Sequence, residues 1–264
     1  MIEKTANPMV NKKLKRECSF EYFLVKKVAK TIKKYGMIED GDRILVGVSG
    51  GKDSLSLLKI LNDRKGFYPY NYEILALHVV FSNLSCRGAS DPKALEDYFK
   101  KEGYNYKIAE QHLRNTRKGM DSFWCSWNRR RVLFQTANTL GYNKIALAHH
   151  GNDVVETTLL NIFYHSEIST MLPVQSLFED RMKIIRPFYY ISESDTRKFS
   201  RIHNFPAAHC RCPVQKETKR EMFKRLVSEI EKANPKAGIS ALRALENVKM
   251  EYLPNSTVKE NITV

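Results

Sequence analysis

A chain of 264 residues with 42% apolar and 28% charged side chains has room for one generous α/β domain with an appendage, and can bury a substantial core. Lys and Arg exceed Asp and Glu by 44 − 29 = +15, a balance of the sign that attracts phosphate backbones, acidic membrane surfaces and plain solubility being its other uses. No apolar stretch is long enough to span a bilayer and the N-terminus lacks a secretory pattern, so the expected compartment is the cytoplasm and the five cysteines are not expected in structural disulfides.

Residues 1–19 form a basic arm whose run Lys12-Lys13-Leu14-Lys15-Arg16 suits solvent or a polyanion. Phe23, Leu24, Val28 and Ile32 recur at helical spacing and predict a helix over 20–35, ended by Gly36. Strand-like runs at 43–48, 73–81, 106–112 and 144–149 then alternate with helical segments at 55–61, 92–101, 128–140 and 153–164, and a short strand follows at 183–189. That alternation predicts an α/β fold with a doubly wound parallel sheet, whose ligands bind at the carboxyl ends of the strands. Continuous apolar runs such as Ile44-Leu45-Val46-Gly47-Val48 fit strands covered on both faces. The expected division is the arm 1–19, a main domain 20–190, a basic helical extension 191–252 and a loose tail 253–264.

Ser49-Gly50-Gly51-Lys52-Asp53-Ser54 follows a strand and opens an apolar-periodic helix. Two adjacent glycines let several backbone N–H groups aim at one anion, and the helix N-terminus adds its positive end. Ser49 and Ser54 bring hydroxyl donors and Lys52 a compact positive charge. A Walker A loop is excluded, because Val46 stands where its first glycine belongs and Asp53 where Ser or Thr must follow the lysine. The loop resembles that of the PP-loop ATP pyrophosphatases. This resemblance implies a five-stranded parallel sheet of the adenine nucleotide alpha-hydrolase type, with an N-terminal helix and a C-terminal helical extension. It also implies ATP and Mg²⁺ as cofactors, and adenylation of a substrate oxygen with loss of pyrophosphate. It places adenine beside His78, which by itself reads more often as a packed core histidine.

The second polar cluster, Ala148-His149-His150-Gly151-Asn152-Asp153-Val154-Val155-Glu156-Thr157, lies at a strand end and opens a helix. Asn152 or Asp153 is the expected cap. The residues alone leave open a plain cap, a histidine metal site, or Mg²⁺ held between a carboxylate and ATP phosphates. The stretch is similar to the His-His-x-Asp-Asp-x-x-Glu/Gln-Thr motif of the TtcA-like tRNA 2-thiocytidine synthetase family. It departs from that motif at Asn152, so the resemblance places the acidic role on Asp153, nucleotide binding near His149, and a basic role at the adenylation centre on Arg129. Arg186-Pro187-Phe188 and Asp195 match further family positions, with a structural part expected for them.

The same family has two cysteine pairs, where this chain reads Ser122-Phe123-Trp124-Cys125 and His209-Cys210-Arg211-Cys212-Pro213. The resemblance implies a [4Fe-4S] cluster on Cys125, Cys210 and Cys212, with one iron open to sulfide. Zinc on these thiolates plus His209 or His203, three unliganded thiols, and a persulfide relay through Cys210 are the alternatives. Cys18 and Cys86 match no motif position. The implied activity is ATP-dependent tRNA thiolation at the C2 oxygen of a pyrimidine, cytidine being the expected base. Its partners would be tRNA and sulfide or a sulfur-donor protein, with no membrane, and a homodimer is compatible. The alternatives are a lysidine-synthetase-like tRNA ligase, and a metal-containing RNA-binding protein with a degenerate nucleotide site.

Overall fold

A computed structural model describes residues 8–65, 70–81, 91–112, 122–206 and 219–253. Six strands, β1 (Asp42–Gly47), β2 (Tyr72–Phe81), β3 (Tyr106–Gln111), β4 (Lys144–Ala146), β5 (Val174–Leu177) and β6 (Met182–Ile185), make one sheet in the order β3-β2-β1-β4-β6-β5. The first five positions in that order are parallel, as expected. The edge strand β5 is an addition that runs antiparallel to β6. Its turn passes through Phe178, Glu179 and Asp180 at φ 53, 57 and 62, left-handed values taken here without glycine or asparagine.

Eight helices cover the described sheet: α1 (Pro8–Lys34), α2 (Lys52–Asp63), α3 (Pro92–Glu102), α4 (Ser122–Leu140), α5 (Gly151–Leu160), α6 (Glu193–Ile202), α7 (Lys219–Ala233) and α8 (Ala237–Ala244). Proline at its first position lets α1 begin at Pro8, twelve residues before the apolar periodicity that predicts it. Likewise α4 begins at Ser122 and not at Asn128, and α5 gives way at Asn161–His165 to a π-helical turn. The helical run at 153–164 is thus two elements.

The continuous apolar strands are explained by two cores. Ile44 and Val46 of β1, Val48 just after it, and Ile74 and Ala76 of β2 pack with α1, α2, α3 and Phe199 of α6. Leu45, Leu75, Leu77 and Ile145 face the other way, onto Val132, Leu133 and Ala137 of α4. Burial of one such leucine contributes about 1.5–3 kcal/mol, so each face is firmly specified. A smaller cluster of Val154, Val155, Tyr189, Val227 and Leu242 docks α7 and α8 on α5.

The chain winds outward from β1 to β3 and then returns to the other side of β1 as β4. Strand order therefore reverses between β1 and β4, the switch point at whose carboxyl end a crevice for ligand opens. Val46 is in register with Ala146, and Ala146 with Ile185, so Ser49, His149 and Arg186 leave three neighbouring strands near one level.

Candidate active site

The loop after β1 is braced by its own serines. Ser54 Oγ donates to the Gly51 carbonyl at 2.9 Å, the Ser49 N–H donates to Ser54 Oγ at 3.2 Å, and the Gly51 N–H donates to Ser49 Oγ at 3.2 Å. Gly50 takes φ 85, a value that favours glycine. Gly51 is the N-cap of α2 and brings no side chain, so the first-turn N–H groups are left for an anion, as the sequence anticipates.

Lys52 Nζ lies 2.9 Å from Asp53 Oδ2 and 3.3 Å from Glu193 Oε1. Asp53 Oδ1 accepts the Thr196 hydroxyl. Thr196 and Glu193 come from α6 and do not figure among the sequence-predicted site residues. The Ser192-x-x-Asp195 capping box that starts α6 is a readable signal for the helix, but not for its meeting with Lys52. Burial disfavours the Glu193 charge, yet the Lys224 hydrogen bond and the charge of Lys52 outweigh it and hold the carboxyl down to about 2.

At the end of β4, His150 is the N-cap of α5, in place of the expected Asn152 or Asp153. The physical reason is reciprocity. The Asp153 N–H donates to His150 Nδ1 at 3.4 Å, and Asp153 Oδ2 accepts the His150 N–H at 2.8 Å. Asn152 instead accepts the Glu193 N–H at 3.0 Å, which ties α5 to α6. Glycine suits position 151, since a Cβ would come within 3.2 Å of the Tyr189 carbonyl and 3.3 Å of the Ile191 carbonyl, closer than most Cβ contacts. Glu156 is buried one turn on, and burial together with the Asp153 charge raises its carboxyl to about 7.

His78 is fully buried, and its Nδ1–H donates to the Val48 carbonyl at 2.8 Å. Burial lowers its basicity, so the neutral ring keeps Nε2 as an acceptor, an atom buried with no partner among the described residues. Arg129 lies within electrostatic reach of this ring, with its guanidinium 5.7 Å above Phe81. His149 is half-buried. Burial of the ring, with Arg186, Arg130 and Arg220 around it, pushes its basicity down to about 3.

The structure therefore brings together Lys52 and Asp53, sets His78 beside Arg129, and places Asp153 in the cap of α5. Cys125 is half-buried near the start of α4, against the core on that face of the sheet, and is not in a disulfide. Cys210 and Cys212, with His209, lie outside the described residues, as does Cys86, and the side chain of Cys18 is also outside them. His203 Nε2 faces Glu21 Oε1 at 3.0 Å and its ring packs 4.3 Å from Phe199, so it is engaged away from any described thiol. A cavity of about 830 Å³ between α5, α6, α7 and α8 borders the loop only through Glu193, so the switch-point crevice is the better nucleotide site.

A glycine-turned loop at the switch point of a parallel sheet, with lysine, serines and aspartate at the mouth of α2, defines a PP-loop nucleotide-binding domain. The model of the PP-loop domain family matches residues 23–225. The tRNA-cytidine(32) 2-sulfurtransferase of Geobacter sulfurreducens is 37% identical over 234 residues, covering 86% of this chain and 90% of that protein. Its counterpart in Coxiella burnetii strain RSA 493 is 35% identical, over 87% and 91% of the two chains. The chain belongs to the PP-loop domain family and, within it, to the family of these sulfurtransferases. Among solved structures, the U34-tRNA thiolase NcsA from Methanococcus maripaludis, with its [4Fe-4S] cluster, aligns at a TM-score of 0.74 and 21% identity over 90% of this chain and 80% of its own, a likeness of fold. Among the described residues no helix is long and apolar enough to cross a membrane.

Proposed function

We propose that this chain is an ATP-dependent tRNA sulfurtransferase that replaces the C2 oxygen of a cytidine by sulfur. The observation that carries the reading is the Ser-Gly-Gly-Lys-Asp-Ser loop at the switch point, with its lysine and aspartate already held in one charge network and full-length relatives of that name. The C2 oxygen attacks the α-phosphate of ATP, forming an O–P bond as the bond to pyrophosphate breaks. Sulfide then adds at C2, and AMP departs with the oxygen. The first-turn N–H groups of α2, the hydroxyls of Ser49 and Ser54, and the Lys52 ammonium hold the phosphates and offset the charge that grows on the leaving pyrophosphate. Asp53 and Asp153 are the carboxylates for Mg²⁺, a hard cation that favours oxygen ligands. His78 Nε2 offers an acceptor to the adenine amino group, and Arg129 a positive charge to the adenylation centre.

Cys125 fits a thiolate-bound group in donor chemistry and in place: it lies on α4 about one turn before Arg129 and Arg130, and the described chain after Cys212 resumes at Lys219, followed by Arg220, which is within electrostatic reach of Arg130. Cys125, Cys210 and Cys212 would hold a [4Fe-4S] cluster, which when bound keeps the incoming sulfide next to the base. The chemistry is tested by mixing anaerobically prepared protein with ATP, sulfide and tRNA. Pyrophosphate release with sulfur recovered in the cytidine is expected. Release without sulfur in the base would point to ligase chemistry, and no tRNA-dependent release would overturn the reading.

A further inference from the structure

Three arginines from three elements lie within electrostatic reach of His149, and Arg130 within that of the other two: Arg130 of α4, Arg186 just after β6, and Arg220 in the first turn of α7. Arg186 forms the floor at 4% exposure, while Arg130 and Arg220 are exposed on the rim. Arg186 Nη1 donates to the Leu172 carbonyl at 2.5 Å and Nη2 to Gln175 Oε1 at 3.3 Å, but its buried Nε has no partner among the described residues. The buried Nδ1 of His149 likewise has none among them. Arg220 is steadied by the Thr157 hydroxyl at 3.0 Å, and Glu156 is the nearby carboxylate that feels its charge. Among the described residues no carboxylate makes an ion pair with any of the three.

A guanidinium buried without a counter-charge is costly, and gathering three positive charges adds repulsion. An anion with several acceptor oxygens removes both penalties, and the planar fork of arginine matches phosphate geometry. The neutral histidine adds a hydrogen-bonding group without more charge. Because His149 leaves the sheet beside Ser49, such an anion would sit one strand from the loop.

We propose that His149, Arg130, Arg186 and Arg220 form a second phosphate site, distinct from the loop, that holds either a backbone phosphate of bound RNA or a phosphate of the nucleotide. The RNA source rests on the proposed function and the nucleotide source does not. The test uses wild-type protein with Arg220→Gln, Arg130→Gln and Arg186→Lys, the first two being surface changes that leave the floor intact. Dissociation constants are measured for tRNA across a salt series and for a non-hydrolysable ATP analogue. Roughly tenfold weaker tRNA binding, with a salt slope reduced by about 1 and analogue binding unchanged, assigns the site to RNA. A roughly tenfold loss of analogue affinity assigns it to the nucleotide. The site is overturned if Arg220→Gln and Arg130→Gln both bind both ligands within twofold of wild type. Should wild-type protein bind no tRNA, the thiolation reading fails while the analogue still decides the site.

Discussion

Glu193 stands 3.3 Å from the Lys52 ammonium of the phosphate loop while its second oxygen takes Lys224 of α7 at 2.9 Å. One carboxylate thus joins the loop to the helical extension, and ATP must compete with it for Lys52. Partly exposed pairs of this kind are worth about 0.2–1 kcal/mol, so Glu193→Gln is expected to tighten binding of a non-hydrolysable ATP analogue by up to about fivefold. Calorimetric titration decides this, and weaker binding would show that Glu193 serves the nucleotide directly. The folded Glu193 carboxyl is held down to about 2 against an ordinary 4.5, so its contribution to stability is present above 4.5 and is lost as pH falls through about 2. The Tm gap between wild type and Glu193→Gln should therefore close on acidification.

Lys52→Ala and Asp53→Ala are each expected to abolish ATP-dependent pyrophosphate release while leaving the circular dichroism unchanged. Both side chains are part-exposed at the rim of the loop, and Asp53→Ala gives up only one hydroxyl contact, from Thr196, beyond its pair with Lys52. Near wild-type release from either variant would show that the loop does not hold the phosphates.

Glu156 carries the opposite sign. Burial and Asp153 raise its carboxyl to about 7 from 4.5, so its contribution to stability is present below 4.5 and is lost as pH rises through about 7. Glu156→Gln removes that loss, and the variant should be more stable than wild type at pH 8, by at most about 3 kcal/mol, with no advantage at pH 4. Urea unfolding at the two pH values checks it.

Replacing Cys125, Cys210 or Cys212 by alanine should remove most of the iron and the sulfur transfer while ATP binding persists, and Cys18→Ala and Cys86→Ala should be silent. Metal analysis of anaerobically purified protein provides the test. Stoichiometric zinc without iron, or full thiolation by Cys210→Ala, would exclude the cluster.

Affinity for tRNA should fall steeply as salt rises, because a chain with a charge excess of +15 binds chiefly through phosphates. Charge reversals in Lys12–Arg16 and in Lys216–Arg225 should each flatten that slope. Affinity indifferent to salt would remove the basic surface from the account.

By itself the sequence determined the alternation of strands and helices, the two-faced burial of β1, the phosphate loop and its family, because each is a local pattern written within a dozen residues. The edge strand β5 and its turn were not legible, since Phe178 and Glu179 take left-handed values without the residues that announce them. Nor was the cap of α5, where His150 outcompetes Asn152 and Asp153 by exchanging two hydrogen bonds with the latter. Only the tertiary structure set Glu193 against Lys52 and gathered Arg130, Arg186 and Arg220 around His149. Those meetings join residues far apart in the chain, and they arise because the parallel register β1-β4-β6 brings separate strand ends to one level while α6 and α7 fold back over them. Spacing along a chain records what a helix or strand will bury, but the charges that share one crevice are chosen by how the strands are ordered across the sheet.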